Sequence, residues 1–392
     1  NPLFLFGFAQ MSVPSTEQEI VRLKLVKREF FSVYAKGVHL MIDSRYQELM
    51  PTGSGSYGIV YSAVDTVTRR KVAIKIIPMF QEGQQTEIRN LREIKYLRFF
   101  HQCPHVLDIL DYYCYPYASC VRMNNYVNQM VHLYMVTPLY DFDLETIIDA
   151  KNYMSIDQIR VILYQLLLAL RYIHSAGFLH RDVKASNILI SRNADVALCD
   201  FGLARADRKD LTTYVVTRNY RAPELLVGNK LYDSKIDMWS AGVVFAEMLH
   251  GSTMFQAANA SKLLDVIISY LGKPSAKDLE MIENASIRAE LQKRVVSPKP
   301  LLKQFSRWIP ASAGDLLLKL LQFNPSKRIS ATEALQHPFF SDLGNTLQPL
   351  TCPNKYELNW EEYVLKSSDR LSLWREYLKE QEFYPLVKCV YH

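Results

Sequence analysis

No two of the six cysteines are spaced C-x-x-C, and none belongs to a matched Cys/His cluster. That pattern leaves no basis for a zinc framework or a disulfide scaffold, so reduced thiols in a cytoplasmic or nuclear protein are expected. Long blocks of one charge are absent too: 46 basic and 40 acidic residues leave a net charge of +6, spread along the chain. Arms built to grip nucleic acid carry concentrated positive charge, so no nucleic-acid partner is expected. The apolar opening, PLFLFGFA, is too short to span a bilayer and has no basic residue before it, so neither a membrane anchor nor a signal peptide is expected. The first ten residues stay outside the fold argument. Internal repeats and low-complexity tracts are missing as well. What remains is 392 residues, 49% of them hydrophobic, ample for two or three domains or one two-lobed unit.

Residues 1–45 form an N-terminal extension, in which EQEIVRLKLVKREFFSVYAKGVHL has partly helical spacing and predicts a helix packed on the main body. From Arg45 the texture changes. YQELMPTGSGSYGIVYSAVD, KVAIKIIPM and VHLYMVTPL are short β-branched and aromatic runs that predict a small antiparallel sheet. Between them, QQTEIRNLREIKYLRF at 84–99 places Ile88, Leu91, Ile94 and Leu97 on one stripe and charges opposite, which predicts a helix crossing that sheet. After Leu139 the helical period dominates. IDQIRVILYQLLLALRYIHSAGF reads as a long apolar helix ended by Gly177, and further helices fit DSKIDMWSAGVVFAEMLHG, ASKLLDVIISYLG, AGDLLLKLLQFNP and SATEALQHPFF. In the tail, Leu371, Trp374, Tyr377 and Leu378 fit one helical face, most simply a packing face.

Between these elements lies an ordered set of short motifs. Gly53, Gly55 and Gly58 fall in G-S-G-S-Y-G, Lys75 ends V-A-I-K, and Glu93 lies on the charged helix. HRDVKASN follows at 180–187, then DFGLAR from Asp200, then TTYVVTRNYRAPE from Thr212 to Glu224. Four fixed residues in H-R-D-x-x-x-x-N arise by accident in a chain this long with a probability on the order of 0.1 to 1%, before any companion motif is required. A glycine run alone is weak evidence, since glycines commonly mark turns and bulges. Joined to the rest, it carries weight.

The residue types suit phosphoryl transfer, which asks a protein for positioning and charge neutralisation more than for covalent chemistry. Glycines let backbone N–H groups approach phosphate oxygens closely. Lys75 on an apolar strand needs a partner, and Glu93 can hold it toward the α- and β-phosphates of a nucleotide. Asp182 suits the acceptor of a hydroxyl proton, Lys184 suits neutralising the moving phosphoryl group, and Asn187 and Asp200 are oxygen donors for Mg2+. Any one such aspartate is usually a turn former or helix cap. Five in register are not.

On these motifs the chain resembles the eukaryotic protein kinases of the mitogen-activated protein kinase family over roughly Tyr46 to Phe340. The specific element is Thr212-Thr213-Tyr214 before VVTRNYRAPE, similar to the family's T-x-Y lip, and the stretch after Ala260 is similar to the insert and closing helices shared with cyclin-dependent kinases. The resemblance implies an α+β, two-lobed protein kinase fold: a small antiparallel sheet lobe plus one helix over 46–137, a large mainly helical lobe over 138–340, and a C-terminal extension, 341–392, packing back on the body. It implies ATP and Mg2+ as cofactors, with nucleotide contacts at Gly53, Ser54, Gly55, Ser56, Tyr57, Gly58, Val60, Ala73, Lys75 and Leu189. At the hinge, Thr137 lies at the back of the pocket, the Pro138 carbonyl accepts from the adenine amine, and the Tyr140 backbone supplies the other contact. Asp143 suits a ribose hydroxyl or, equally, a helix cap.

The same resemblance implies phosphorylation of Thr212, gripped by Arg92, Arg181 and Arg205, and of Tyr214, gripped by Arg218 and Arg221. It implies serine or threonine followed by proline in protein substrates, an upstream dual-specificity kinase, opposing phosphatases and a monomeric state. A Glu224–Arg328 ion pair, a catalytic loop braced by Asp237, and Phe201 packed beneath the helix carrying Glu93 complete the expectation. Four features depart from the family pattern. Asn219 replaces an aromatic residue, Asp342 stands alone where an acidic docking cluster is usual, the stretch around 111–131 is long, and Thr213 matches no subgroup. The competing readings are a cyclin-dependent-like kinase switched on by a partner, a pseudokinase scaffold, and a lipid or small-molecule kinase. Tyr214 with Arg218 speaks against the first, the retained Lys75, Glu93, Asp182, Asn187 and Asp200 against the second, and RAPE against the third.

Overall fold

The computed structural model describes residues 29–35, 38–55, 58–78, 84–115, 132–150, 153–206, 218–306, 308–343, 351–353 and 376. The chain divides into two compact units, one of residues 1–84, 111–136 and 362–392, the other of residues 85–110 and 137–361.

The first unit opens with a correction to the sequence reading. Where a helix was expected, β1 (Phe30–Ala35) and β2 (Val38–Asp43) pair antiparallel, with Phe31 opposite Ile42 and Val33 opposite Leu40. The part of the expected helix before Glu29 lies outside the described residues. A period of two decides the rest: Leu40 and Ile42 are buried while Met41 between them is partly exposed. The hairpin is secured by two phenols, since the Met41 N–H donates to Tyr134 Oη at 3.1 Å and the Asp43 N–H to Tyr113 Oη at 3.2 Å. Those two rings stack with centroids 4.6 Å apart.

The predicted small sheet follows as β3 (Tyr46–Gly55), β4 (Gly58–Asp65), β5 (Lys71–Pro78), β6 (Asp111–Tyr115) and β7 (His132–Pro138), in the order β3-β4-β5-β7-β6. The pairs β3–β4, β4–β5 and β6–β7 are antiparallel. Arg45 closes the first of these pairs with a bidentate contact to Asp65, at 2.8 and 2.7 Å, and the Tyr46 hydroxyl donates to Asp111 at 2.7 Å.

In the second unit, α1 (Gln84–Phe99) buries Ile88, Leu91, Ile94 and Leu97, as the stripe requires. Its charged side is only partly solvated: Gln85 and Arg89 are exposed, but Arg92, Glu93 and Lys95 are buried as well. Buried ions persist on a helix only where they have work or partners. The segments β8 (Phe142–Asp143), β10 (Ile188–Ile190) and β11 (Val196–Leu198) form a three-stranded sheet, and β9 (Phe178–Leu179) pairs with β12 (Arg205–Ala206). Helix α2 (Leu144–Asp149) follows β8, and α3 (Ile156–Ser175) is started by a Ser155–Gln158 capping box and stopped at Gly177, whose φ of +79° suits glycine.

Among the described residues the helices that follow are α4 (Pro223–Leu226), α5 (Lys235–His250), α6 (Ala260–Leu271), α7 (Ala276–Leu279), α8 (Ala285–Lys293), α9 (Ala311–Leu320) and α10 (Ala331–Leu335). Helix α5 is the buried axis of this unit, and Gly242 permits its close approach to α9, since a Cβ there would sit 2.9 Å from Leu320. Among the described residues no helix is long and apolar enough to cross a membrane. Apart from Glu376, which is helical and buried, the amphipathic tail lies outside the described residues.

Candidate active site

The loop between β9 and β10 is fixed from below by one carboxylate. Asp237, on the first turn of α5 and fully buried, accepts the backbone N–H of His180 at 2.9 Å and of Arg181 at 2.8 Å, and also the His174 Nε2–H at 2.9 Å. Burial would raise its pKa, but the hydrogen bond and charge of His174 hold it below the ordinary aspartate value. The brace expected of Asp237 is therefore present. It holds Arg181 at φ 68°, a left-handed conformation unfavourable to a residue with a Cβ.

His180 is turned inward between the same elements. Its Nε2 donates to the Cys199 carbonyl at 3.1 Å, and its Nδ1 accepts the Asp182 N–H at 3.3 Å. Those contacts fix one neutral tautomer, and burial holds the imidazole pKa below its usual value against the pull of the carboxylates of Asp237, Asp182 and Asp200. Its ring packs edge-on against Phe201 at 4.8 Å.

Sheet register then sets the acidic groups. Ile188 pairs with Leu198, and the Cys199 N–H donates to the Asn187 carbonyl at 2.9 Å, so Asn187 and Asp200 emerge at the same end of the β10–β11 pair. The Asn187 Nδ2 donates to both the carbonyl and the carboxylate of Asp182, at 2.8 and 3.0 Å. With its nitrogen so committed, the amide oxygen is left as the acceptor. Lys184 Nζ lies 2.8 Å from Asp182 Oδ2, the same oxygen that accepts from Asn187. Asp200, at φ 63°, accepts the Gly202 N–H through Oδ1 at 3.2 Å. An amide oxygen and a carboxylate on adjoining strands are the hard donors Mg2+ prefers, and that ion is commonly held by one or two protein groups with phosphates and water completing its shell.

A basic cluster stands beside this loop. Arg92 Nη1 donates to the Gly202 carbonyl at 2.5 Å. Arg181 is buried under the Tyr232 ring, 5.7 Å from its centroid, and burial together with the charges of Arg205 and Arg92 pushes its pKa down to about 10. The charges of Arg205 and Arg92 act on Arg181, so the three guanidinium groups lie near one another. Thr212 and Tyr214 lie outside the described residues. Of the second expected pair, Arg218 Nη1 donates to the Ala258 carbonyl at 2.5 Å, and Arg221 is half-buried.

Arg328, fully buried, meets Glu224 bidentately at 2.7 and 3.0 Å and also donates to the Gln322 carbonyl. Phe201 packs on Phe100, at 5.6 Å, past the C-terminal end of α1. Asp143, for which two roles were open, is the N-cap of α2: its Oδ1 accepts the Thr146 N–H at 2.7 Å and its Oδ2 the Thr146 hydroxyl at 2.9 Å. Thr137 and Pro138 end β7, with Thr137 only 7% exposed, and Tyr140 and Leu189 are half-buried.

In the first unit, β3 and β4 carry the glycine run, with Ser56 and Tyr57 between them outside the described residues. Val60 is opposite Lys75, and Ala73 is opposite Ser62. Gly58 serves the sheet itself, since at φ +141° an added Cβ would stand 2.2 Å from the Ile76 carbonyl oxygen. Sequence reasoning missed His174, Tyr232 and the buried Tyr220–Glu247 contact of 2.8 Å. Each pairs with a residue at least 27 positions away, so no local spacing marks it.

A braced H-R-D loop, an Asn/Asp pair presented by adjoining strands and a glycine-rich hairpin on a separate small sheet are the parts of a protein kinase. The family model described as "Protein kinase domain" matches residues 46–340. Mitogen-activated protein kinase 4 of Oryza sativa subsp. japonica is 40% identical over 306 residues, 77% of this chain and 80% of that protein. Mitogen-activated protein kinase homolog NTF3 of Nicotiana tabacum is 42% identical over 308 residues, 77% of this chain and 79% of its own length. Mitogen-activated protein kinase 14 of Arabidopsis thaliana is 36% identical over 346 residues, 86% and 91% of the two chains. The chain belongs to the mitogen-activated protein kinase family, and its activity is ATP-dependent phosphorylation of serine or threonine in proteins.

Proposed function

We propose that the chain is a proline-directed kinase, transferring the γ-phosphoryl group of ATP to serine or threonine followed by proline, and that phosphorylation of Thr212 and Tyr214 switches it on. The observation that carries the transfer is the Asp182–Asn187–Lys184 cluster on a loop braced by Asp237. Asp182 orients the acceptor hydroxyl and takes up its proton. Lys184 faces the oxygen charge that grows on the moving group. Asn187 and Asp200 are the groups that would hold Mg2+, which supplies charge neutralisation on the phosphates. Lys75 with Glu93, the glycine hairpin, Val60, Ala73, Thr137, Pro138, Tyr140 and Leu189 are, by the family resemblance, the residues proposed for the nucleotide.

The lip reading is supported by Arg181, whose pKa is lowered first by burial and then by the charges of Arg205 and Arg92, a repulsion that a phosphate would relieve. A dual-specificity kinase and phosphatases are the partners this implies. The test is a peptide array on doubly phosphorylated enzyme, with Asp182→Asn as control. Turnover of Ser-Pro and Thr-Pro peptides well above their Ser-Ala and Thr-Ala counterparts is expected. Equal turnover of both sets would remove the proline preference, and phosphate on Thr212 without Tyr214 in fully active protein would favour the cyclin-dependent-like reading.

A further inference from the structure

The chain contains seventeen prolines, and only two follow a serine or threonine: Thr137-Pro138 and Ser297-Pro298. The first is out of reach, because Thr137 is buried near the end of β7. The second is presented. Ser297 and Pro298 are exposed in a stretch without regular secondary structure between α8 and the turn at Leu301–Lys303, and nearby Val295 is 92% exposed.

The local chain is shaped as an acceptor peptide must be. Pro298 and Pro300 fix their own φ and bias the residues before them, Ser297 and Lys299, to extended backbone. Among the described residues, nothing from Val295 to Pro298 makes a hydrogen bond, so the Ser297 hydroxyl is unengaged. Two anchors flank it. Arg294 is held by Ser261 and Asp265, with its Nη1 3.0 Å from the Ser261 carbonyl and 3.2 Å from Asp265, and the Lys299 N–H donates to the Ser269 carbonyl at 2.7 Å. Both anchors lie on α6, and Ser297 and Pro298 between them are exposed.

We propose that Ser297 is a phosphorylation site of this protein and that a second copy of the same chain is the enzyme. This rests on the proline-directed reading above. In the reaction the Ser297 hydroxyl oxygen bonds to the γ-phosphorus of ATP, and the bond from that phosphorus to the β,γ-bridging oxygen breaks. ADP leaves with that electron pair, and the hydroxyl proton passes to Asp182 of the second copy. Phosphate at Ser297 sets roughly two negative charges beside Lys293, Arg294 and Lys299.

The test uses full-length Asp182→Asn protein as substrate, which cannot modify itself, and catalytic amounts of doubly phosphorylated wild type with ATP and Mg2+. A Ser-Pro peptide is assayed in parallel, and modified residues are mapped by mass spectrometry. Phosphate is expected on Ser297, with its rate lowered ~10-fold or more when the substrate also carries Pro298→Ala. Turnover of the peptide with Ser297 unmodified would overturn this proposal and leave the functional reading intact. Undiminished modification of the Pro298→Ala substrate would overturn it as well, since proline would not be selecting the site. Failure to turn over the peptide would remove the reading on which both depend.

Discussion

Replacing Asp237 by alanine removes one carboxylate and leaves two buried backbone donors, the N–H groups of His180 and Arg181, without an acceptor. Each orphaned donor costs about 1–3 kcal/mol. The left-handed strain of Arg181, about 1–2 kcal/mol, is present with or without the carboxylate and does not add to that cost. Two orphaned donors therefore make a stability loss of roughly 2–6 kcal/mol, in the range of breaking a buried ion pair. The loop can recover part of that cost by relaxing, and the relaxation moves Asp182, one residue beyond Arg181. A displacement near 1 Å costs about 10²-fold in rate.

Urea unfolding would give the first quantity, and steady-state kinetics below the unfolding transition the second, with kcat falling and KM for ATP little changed. Asp237→Asn sharpens the test, since the amide keeps the shape but turns a donor toward one of the two N–H groups. Because the Asp237 pKa is depressed in the folded state, its contribution is present above the ordinary value of 3.8 and is lost as pH falls through the depressed value. Wild-type kcat in folded Asp237→Ala would refute the bracing argument, whatever its stability.

Three further outcomes follow from single contacts. Glu224→Gln or Arg328→Met should each lower stability by about 3–5 kcal/mol, measured by urea unfolding, because either leaves a charge or polar group in a bidentate pair without its partner; a loss below ~1 kcal/mol would contradict that. Gly58→Ala should destabilise the small sheet by at least about 1–3 kcal/mol from the backbone conformation alone, with steric overlap on the Ile76 carbonyl added, and thermal unfolding that matches wild type would sink the reasoning. Burial raises the Glu247 carboxyl from 4.5 to about 7, so its contribution is fully present below pH 4.5 and lost as pH rises through 7. Between pH 5 and 8, wild type should lose up to ~3 kcal/mol relative to Glu247→Gln, and parallel profiles for the two proteins would refute the assignment.

The large helices were legible because each carries one dominant signal. The apolar run ending at Gly177 and the stripe Ile88, Leu91, Ile94 and Leu97 could hardly be read otherwise. The first strands were not, since FFSVYAKGVHLM satisfies both periods in so short a run, and the choice fell to tertiary contacts with Tyr113 and Tyr134. The burial of Arg92, Glu93 and Lys95 was hidden for a related reason: helical spacing tells which face is apolar, never whether the other face is covered. Motifs placed Asp182, Asn187 and Asp200 in order, and β10–β11 register brings Asn187 and Asp200 together. Asp143 and Gly58 each stand in a functional pattern yet make a structural contact that geometry alone reveals, a helix cap in one case and a close approach between the paired strands β4 and β5 in the other.

The most direct measurement is phosphate transfer from ATP to a Ser-Pro peptide by doubly phosphorylated wild type and by Asp182→Asn, with ATP binding followed on the same samples. The account predicts a fall in kcat of about 10²–10⁴-fold in the variant with ATP affinity retained. Transfer at the wild-type rate by Asp182→Asn would contradict it.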